Sequence, residues 1–224
     1  MSTCVELGDG TETLIRIETE SDRASLITAF AERCFMVGNF PSRGGGHYRW
    51  LLDCRQGLGS GLFARGIATA MLDELRTLGI RQFAGSGFGS FFLTGAMLAL
   101  GHDLRAGLLR NEPKSYGHGH RVEGDLDAGL PVCVVDDVIN SGKSASHAID
   151  VLQREGFDVT THLSIFSFSS GAGVSELEHR RVQCKWLASV HEPRRTQHPK
   201  TPCGAEPPLI ERCVQRLLRL RGGR

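Results

Sequence analysis

The chain lacks an excess of charge of either sign, a long apolar run and a leader-like start. Its 26 Lys and Arg residues against 25 Asp and Glu residues leave a formal net charge of +1, so no overall basic field favours nucleic acid. No run of about 18 apolar residues is present, and we therefore expect no membrane span. The N-terminal residues, MSTCVE, have neither the basic start nor the apolar core of a signal peptide. These absences predict a cytoplasmic protein that binds no nucleic acid.

Cysteine motifs are missing as well. The seven cysteines are an odd number and include no Cys-x-x-Cys pair, so we expect no zinc site and a reducing compartment. Cys133 lies in an apolar run and is interpreted as a small buried hydrophobe. The remaining composition, 40% hydrophobic and 23% charged, is ordinary for a globular protein, and 224 residues suffice for one α/β domain.

The most informative stretch is residues 130–146, which read LPVCVVDDVINSGKSAS. Residues 132–135 are all apolar, a pattern typical of a parallel strand buried on both faces. Asp136 and Asp137 follow, and then a polar loop, 140–144, that leads into a helical pattern at 145–153. The start of a helix attracts phosphate, whereas paired acids suit hydroxyl groups and a divalent metal. The stretch therefore predicts a sugar phosphate held at both ends.

Other interpretations of these loops remain open. Residues 141–144, SGKS, are similar to the end of a P-loop, but the first glycine of that motif would fall on Asp137, whose charge repels a triphosphate. Residues 85–90, GSGFGS, nearly match the dinucleotide-binding fingerprint, with Ser90 in place of its third glycine and Asp103 near the place of a ribose-binding acid. Both loops could also be ordinary turns between strand and helix. Paired acids at the end of a buried strand are costly unless they are used, so we favour the sugar-phosphate interpretation.

Strand and helix patterns alternate along most of the chain, which predicts an α/β fold with a doubly wound, mostly parallel sheet. The predicted strands are 48–53, 80–84, 104–109, 132–135, 158–166 and 183–188, besides a short strand or arm within 1–20. The first predicted helix starts near Ser21 and places Leu26, Ile27, Phe30 and Cys34 on one face. The other predicted helices are 62–78, 91–100, 144–154 and 174–180. Residues 57–61 are predicted to be a loop.

The C-terminal part has a different composition. Residues 191–208 are rich in Pro, Arg and His and are predicted to be a linker, so we divide the chain into a domain at 1–190 and an extension at 191–224. Pro207 and Pro208 suit the start of a helix. That helix would place Leu209, Ile210, Cys213, Leu217 and Leu220 near one face.

Residues 134–144, VVDDVINSGKS, resemble the phosphoribosyl-pyrophosphate (PRPP) signature of type I phosphoribosyltransferases, and the nearest subfamily is the orotate phosphoribosyltransferases. Three flanking matches hold the order and spacing of that subfamily over about residues 20–190. They are an N-terminal region (38–43 with 48–53), a pyrophosphate loop (85–90) and a mobile catalytic loop (110–117) followed by 121–124. The resemblance implies the type I phosphoribosyltransferase sheet with a small hood, to which this chain adds the C-terminal helical extension.

The resemblance also implies a role for each segment. Asp136 and Asp137 would be catalytic residues that hold the ribose hydroxyls, and Arg110 and Lys114 would be catalytic residues of the mobile loop. The 5′-phosphate would be held by Val138, Ile139, Asn140, Ser141, Gly142, Lys143 and Ser144. The pyrophosphate would be held by Ser86, Gly87, Phe88 and Gly89, and the base would contact Arg43, Asn140 and Phe168.

The implied partners are PRPP and a nitrogenous base or its nucleotide. Mg²⁺ would arrive on the substrate, and we expect no metal site made of side chains. The mobile loop of such enzymes enters the neighbouring subunit's site, which implies a homodimer.

Two sets of residues depart from the subfamily's pattern. On the pyrophosphate side, Phe88-Gly89 replaces a Tyr-Lys pair and Asn111 replaces a basic residue. Tyr116 replaces a histidine, although His118 and His120 follow closely in the sequence. Losing such charge-stabilising groups predicts weaker catalysis. On the base side, Asn140 replaces a threonine, Ser167-Phe168 replaces an Asp-Arg pair, and Arg43 replaces a lysine.

These departures lead to a prediction with two alternatives. We predict a PRPP-dependent phosphoribosyltransferase that uses a base other than, or in addition to, orotate. The first alternative is a catalytically weakened PRPP- or nucleotide-binding regulatory protein. The second is another sugar-phosphate enzyme that uses the same pocket in reverse or hydrolytically.

Overall fold

Five parallel strands form the centre of the main sheet in the computed structural model, which describes residues 2–7, 11–16, 20–41, 47–110, 121–168, 171–191 and 218–220. The strands are β1 (Ser2–Leu7), β2 (Thr11–Arg16), β3 (Phe35–Pro41), β4 (His47–Leu52), β5 (Gln82–Ser86), β6 (Arg105–Leu109), β7 (Val122–Gly124), β8 (Val132–Ile139), β9 (Val159–Phe168), β10 (Gln183–Val190) and β11 (Leu218–Leu220). The helices are α1 (Glu20–Cys34), α2 (Cys54–Leu58), α3 (Gly61–Thr77), α4 (Phe88–Leu100), α5 (Lys143–Arg154) and α6 (Ala172–His179).

The main sheet has the strand order β11-β10-β9-β8-β5-β6-β7. Its inner strands β10, β9, β8, β5 and β6 pair in parallel, whereas the edge strands β7 and β11 are antiparallel to their neighbours. The chain passes from β5 outward to β6 and then returns to β8 on the other side of β5. The strand order therefore reverses between β5 and β8, and ligands of open α/β sheets bind at such a switch point.

Helices cover both faces of this sheet. Alternate residues of β8 belong to two hydrophobic cores: Cys133 and Val135 pack with α1–α4 on one face, and Val132 and Val134 pack with α5 and α6 on the other. All four are buried, as expected for a parallel strand covered on both sides. The predicted doubly wound fold is confirmed, and the predicted α1 face is confirmed because Leu26, Ile27, Phe30 and Cys34 are all buried.

Element boundaries differ from the prediction at three places near the switch point. β8 continues to Ile139, so Asp136 and Asp137 lie within the strand. α4 begins at Phe88, directly after Gly87, whose φ of 85° suits a glycine before a helix. α2 extends into the predicted loop at residues 57–58. The Asp53 side chain accepts a hydrogen bond from the Arg55 backbone N–H at 3.2 Å and caps this short helix.

The predicted C-terminal helix is wrong for its last residues. Leu218–Leu220 form strand β11, which pairs antiparallel with Ala188–Val190 of β10. Without that partner, β10 would end in unpaired backbone groups, and an alternating Leu-Arg-Leu segment satisfies them as well as it fits a helix. The rest of the predicted linker and helix, 192–217, lies outside the described residues.

A small two-stranded sheet, β3–β4, forms the hood over one end of the main sheet. It is joined to the end of β9 by stacked rings: Phe35 on Trp50 at 5.5 Å between ring centroids, and Trp50 on Phe168 at 5.9 Å. β1 and β2 form a separate hairpin. In the part of the chain that the structure describes, no helix combines the length and apolar character needed to cross a bilayer.

His162 on β9 makes stability depend on pH. Its side chain is 0% exposed, neither ring nitrogen has a hydrogen-bond partner among the described residues, and burial lowers its pKa from 6.5 to about 4. Between these pH values the unfolded chain binds a proton that the native protein does not. We therefore expect the free energy of unfolding to fall by about 3 kcal/mol as pH decreases from 7 to below 4 because of this residue.

Urea unfolding at pH 7, 5.5 and 4 tests this expectation. A His162→Leu variant should lose less stability than the wild type over the same range, since other groups titrate in both proteins. Equal pH dependence in both proteins would show that His162 is protonated in the native state or is accessible to water.

Candidate active site

The predicted site residues meet at the switch point between β5 and β8. Gly85 of β5 pairs with Val135 of β8, so the loop after β5 lies beside the acids of β8. Phe168 ends β9 and Arg110 follows β6 at the same carboxyl edge of the sheet. Arg43 and Lys114 lie outside the described residues, as do Asn111, Tyr116, His118 and His120.

The two acids have different surroundings. Asp136 is only 7% exposed, and its Oδ1 lies 3.0 Å from Ser90 Oγ and accepts the Asp137 backbone N–H at 2.9 Å. Asp137 is half-buried, and its Oδ1 accepts the Val138 backbone N–H at 2.9 Å. Burial and the neighbouring Asp137 carboxylate raise the pKa of Asp136 well above its usual value. Asp137 is thus the more accessible negative charge.

The contacts of Ser90 agree with a protonated Asp136. Ser90 Oγ lies 2.7 Å from the Ser86 carbonyl oxygen as well as 3.0 Å from Asp136 Oδ1. A hydroxyl has one proton and donates to one of these oxygens at a time. If Asp136 is protonated, its carboxyl group can donate to Ser90 Oγ while Ser90 donates to the Ser86 carbonyl oxygen, so that both contacts are hydrogen bonds at the same time. Burial and the neighbouring acid thus favour the neutral form of this carboxyl group in the absence of a ligand.

A small cavity beside Asp136 forms a cradle for an anion. It has a volume of about 90 Å³ and is lined by Asp136 and by Val138, Ile139, Asn140, Ser141, Gly142, Ser144 and Ala145. Gly142, with φ of 75°, precedes α5, whose first N–H groups have no partners within the helix. The loop backbone and the helix start together suit one phosphate group. Asp137 and Lys143 do not line this cavity, and Lys143 is exposed at the start of α5.

Gly173 fixes the position of this cradle from the side of α6. Its backbone N–H donates to the Asn140 carbonyl oxygen at 2.9 Å. A Cβ atom on Gly173 would lie 2.5 Å from that oxygen and 2.6 Å from the Gly142 nitrogen, closer than side chains approach backbone. Gly173 was not predicted from the sequence to be a site residue. It could have been suspected because it belongs to a glycine-rich turn that follows β9, and β9 ends at the same edge of the sheet as β8.

The predicted pyrophosphate residues are divided by the start of α4. Gly87 precedes the helix, and Phe88 is 73% exposed. Gly89 is buried and faces Asp137, because a Cβ atom there would lie 2.1 Å from Asp137 Oδ2. Arg110 is exposed, and its guanidinium lies 3.6 Å from the Glu123 carboxylate on β7.

The base side of the site is aromatic. Phe168 is half-buried and its ring is stacked on Trp50 of the hood. Phe166 is completely buried and stacked on Phe30, so it belongs to the core. Asn140, the other described candidate for base contact, is exposed at the end of β8.

A larger cavity lies at the opposite edge of the sheet, where α3 and α4 end. It has a volume of about 510 Å³, a floor of leucines that includes buried Leu75, and a rim that includes Arg81 and His102. Asp103, the acid of the dinucleotide-binding alternative, lines it, whereas the described residues predicted to hold PRPP do not. Of these two cavities, the smaller one combines an anion cradle with Asp136 and lies next to Asp137, so we take it as the candidate active site.

The acid pair fits a metal that arrives on a substrate. Among the described ranges no group of three His, Cys, Asp or Glu side chains is arranged to hold a metal. Mg²⁺ usually binds proteins through one or two carboxylates while substrate phosphates and water supply its other ligands. Asp136 and Asp137 can provide such a pair.

A parallel sheet with paired acids and an anion loop at its switch point is the arrangement that the resemblance to type I phosphoribosyltransferases implies. A scan of the chain against models of known protein families finds no match. The chain is nevertheless similar in sequence and in fold to type I phosphoribosyltransferases. Its relatives include the orotate phosphoribosyltransferase of Rhodopirellula baltica, 29% identical over 181 residues that cover 76% of this chain and 93% of that protein. They also include that of Natronomonas pharaonis, 33% identical over 51% of this chain and 64% of that protein.

Solved structures share the fold. The orotate phosphoribosyltransferase of Mycobacterium tuberculosis aligns with a TM-score of 0.65 at 22% identity, over 73% of this chain and 94% of that one. The same enzyme solved in complex with PRPP aligns with a TM-score of 0.61, over 73% of this chain and 93% of that one. A phosphoribosyltransferase from Corynebacterium diphtheriae aligns with a TM-score of 0.64 at 20% identity, over 74% of this chain and 94% of that one.

Proposed function

We propose that the protein is a PRPP-dependent phosphoribosyltransferase, which transfers ribose 5-phosphate to a nitrogen of a base and releases pyrophosphate. The observation that carries this proposal is the adjacency of Asp136, Asp137 and the 90 Å³ anion cradle at the switch point of the sheet. This arrangement suits a pentose whose hydroxyls and terminal phosphate are held at once. The relatives' names support the same reaction class.

Different residues of the site have different roles in this reaction. As the bond to pyrophosphate breaks, positive charge builds on the ribose ring and negative charge on the leaving group, and both need stabilisation. Asp136 and Asp137 hold ring hydroxyls, and Asp137 supplies negative charge next to the ring. Backbone N–H groups of the loop 138–144 hold the 5′-phosphate, and the start of α4 binds the pyrophosphate together with Arg110 and, by the family resemblance, Lys114. Bound Mg²⁺ neutralises part of the pyrophosphate charge.

We propose further that the base is not orotate alone. Phe168 stands where the resemblance places an arginine that contacts orotate, and its ring is stacked on Trp50 rather than on a charged partner. If orotate bound here, its carboxylate would lose its hydration at the aromatic surface and would have no arginine to pair with, which is energetically unfavourable. A flat base without a carboxylate would keep its stacking contacts at no such cost.

Assembly and location follow from the same resemblance. The mobile loop that begins at Arg110 would enter the neighbouring subunit's site, so we propose a homodimer with shared active sites. Four buried cysteines, Cys34, Cys54, Cys133 and Cys184, are free thiols, which suits the reducing cytoplasm.

A second candidate function is a PRPP- or nucleotide-binding regulatory protein with weak catalysis. Gly89 and Asn111 favour it, because each takes the place of a cation that would stabilise the leaving pyrophosphate. Loss of one preorganised charge-stabilising group typically costs about 10²–10³ in rate. Two such losses without compensation leave a binder rather than an efficient enzyme.

Incubation with PRPP, Mg²⁺ and a panel of bases, followed by detection of pyrophosphate, separates these functions. The panel should contain orotate, uracil and purine bases. We expect release that depends on a base and that is greater with an uncharged base than with orotate. Calorimetric PRPP binding without turnover would support the regulatory candidate, and release without any base would indicate hydrolysis. If PRPP neither binds nor reacts, the proposed function is wrong.

A further inference from the structure

We propose that the first turn of α4 positions the acid pair. In this arrangement Gly89 leaves space for the Asp137 carboxylate and Ser90 holds Asp136, so that a side chain at position 89 displaces Asp137. Gly89 is thus a positioning residue that acts through Asp137. The functional part of this inference rests on the proposed PRPP site, whereas its structural part does not.

The contact between Gly89 and Asp137 is unusually close. A Cβ atom at position 89 would lie 2.1 Å from Asp137 Oδ2, 2.6 Å from Cγ and 3.3 Å from Cβ. These distances are well inside van der Waals contact, which for carbon atoms begins at about 3.5 Å. Because three atoms of the carboxylate side chain are involved, a small shift of one oxygen does not relieve the overlap. Relief requires the Asp137 carboxylate to turn away about its side-chain bonds.

Rotation of Asp137 has a cost within β8. Its Oδ1 accepts the Val138 backbone N–H at 2.9 Å, and a rotated side chain would leave that donor without this partner. Val138 also lines the anion cradle. Displacement of the carboxylate therefore disturbs the ribose side and the phosphate side of the candidate site together.

The backbone of Gly89 does not itself require glycine. The residue lies in the first turn of α4, and its φ is outside the left-handed region, where glycine is favoured. An alanine would normally stabilise such a helical position. A side chain added at position 89 would therefore meet the neighbouring carboxylate rather than strain the backbone of the helix.

Ser90 completes the arrangement on the next residue of the same turn. Its hydroxyl lies 3.0 Å from Asp136 Oδ1 and 2.7 Å from the Ser86 carbonyl oxygen, so it joins the buried acid to the end of β5. Two consecutive residues of α4 thus contact the two consecutive acids of β8. The helix start that would otherwise serve the pyrophosphate alone also fixes the ribose-binding carboxylates.

Gly89→Ala and its control Gly95→Ala test the structural part. Gly95 lies in the same helix and is exposed, and a methyl group added to it would have no neighbouring atom within 4 Å. Gly95→Ala should raise the Tm by about 2–4 °C, as expected for alanine in place of glycine in a helix. Gly89→Ala should lower the Tm by a similar amount. In an Asp137→Ala background, Gly89→Ala should instead raise the Tm as Gly95→Ala does, because the clashing carboxylate is gone.

The PRPP affinity of the same variants tests the functional part. With Mg²⁺ present, Gly89→Ala should weaken PRPP binding by about 10- to 100-fold, and Gly95→Ala should leave it unchanged. Gly89→Lys, although it adds a cation beside the pyrophosphate, should weaken binding as well. Equal effects of Gly89→Ala on the Tm with and without Asp137, or tighter PRPP binding by Gly89→Lys, would overturn the inference. If the wild type does not bind PRPP, the Tm comparison still decides the structural part, and only the proposed function fails.

Discussion

Replacing Asp136 with asparagine is expected to raise the stability of the protein and to remove its activity on PRPP. The raised pKa of Asp136 shows that its ionised form is unfavourable in the native protein, because the carboxylate is buried and lies beside Asp137. An asparagine keeps the Oδ1 atom that accepts the Asp137 N–H and that lies 3.0 Å from Ser90 Oγ, and it has no charge that burial would penalise. The expected gain is about 1 kcal/mol in the free energy of unfolding at pH 7.

The same substitution removes the negative charge available to the ribose ring when substrate binds. We expect a loss of about 10²–10³ in the rate of pyrophosphate release. Urea unfolding and the pyrophosphate assay on the same preparation measure both effects. Asp158→Asn is a suitable control, because Asp158 is exposed and precedes β9 at the opposite edge of the sheet. A destabilised Asp136→Asn variant, or one with full turnover, would contradict this account of the acid pair.

The second large effect is expected from Gly173→Ala. The added methyl group would lie 2.5 Å from the Asn140 carbonyl oxygen and 2.6 Å from the Gly142 nitrogen, and neither backbone atom can rotate away as a side chain could. Relief requires the loop 140–142 to move from α6, which breaks the hydrogen bond from Gly173 to Asn140. We expect about 1–3 kcal/mol of destabilisation and at least about a 10²-fold weaker affinity for ribose 5-phosphate.

Thermal unfolding and calorimetric titration with ribose 5-phosphate test this prediction. Gly95→Ala, which adds the same methyl group to open space on α4, should bind ribose 5-phosphate as the wild type does. Wild-type affinity in Gly173→Ala would mean that the phosphate is not held by the loop 138–144.

The structure could be predicted from the sequence where the residues of a single strand were sufficient evidence. The apolar run 132–135 could be interpreted without knowledge of the rest of the fold, because only a strand covered on both faces needs apolar residues at every position. Asp136 and Asp137 follow this run directly, so they were expected at the carboxyl end of the strand and therefore at the carboxyl edge of the sheet. Their meeting with residues 85–90 was predictable only from the family resemblance, since periodicity does not give the strand order.

Contacts between distant segments were beyond such reasoning. The glycine-rich turn after β9 indicates a loop at the same edge of the sheet, but it does not indicate that the Gly173 α-carbon lies against Gly142, because that contact depends on how α6 follows β9. The space that Gly89 leaves for Asp137 is likewise visible only once β5 and β8 are neighbours. Position 89 could be recognised in the sequence as a missing cation, but not as a position where a side chain has no room.

The C-terminal strand shows a different limit. Leucines at 217 and 220 suit one face of a helix, whereas leucines at 218 and 220 suit one face of a strand, and the open edge of β10 decides between them. The short helix α2 was missed because its signal is a single capping carboxylate, that of Asp53, in a segment rich in glycine.

A crystal structure of the protein with ribose 5-phosphate and Mg²⁺ tests the central claim most directly. We predict that the phosphate occupies the cavity lined by residues 138–142 and 144–145, with ring hydroxyls within hydrogen-bond distance of Asp136 and Asp137. Density for the sugar phosphate in the cavity between α3 and α4, or Asp136 turned away from a bound pentose, would contradict the proposed site.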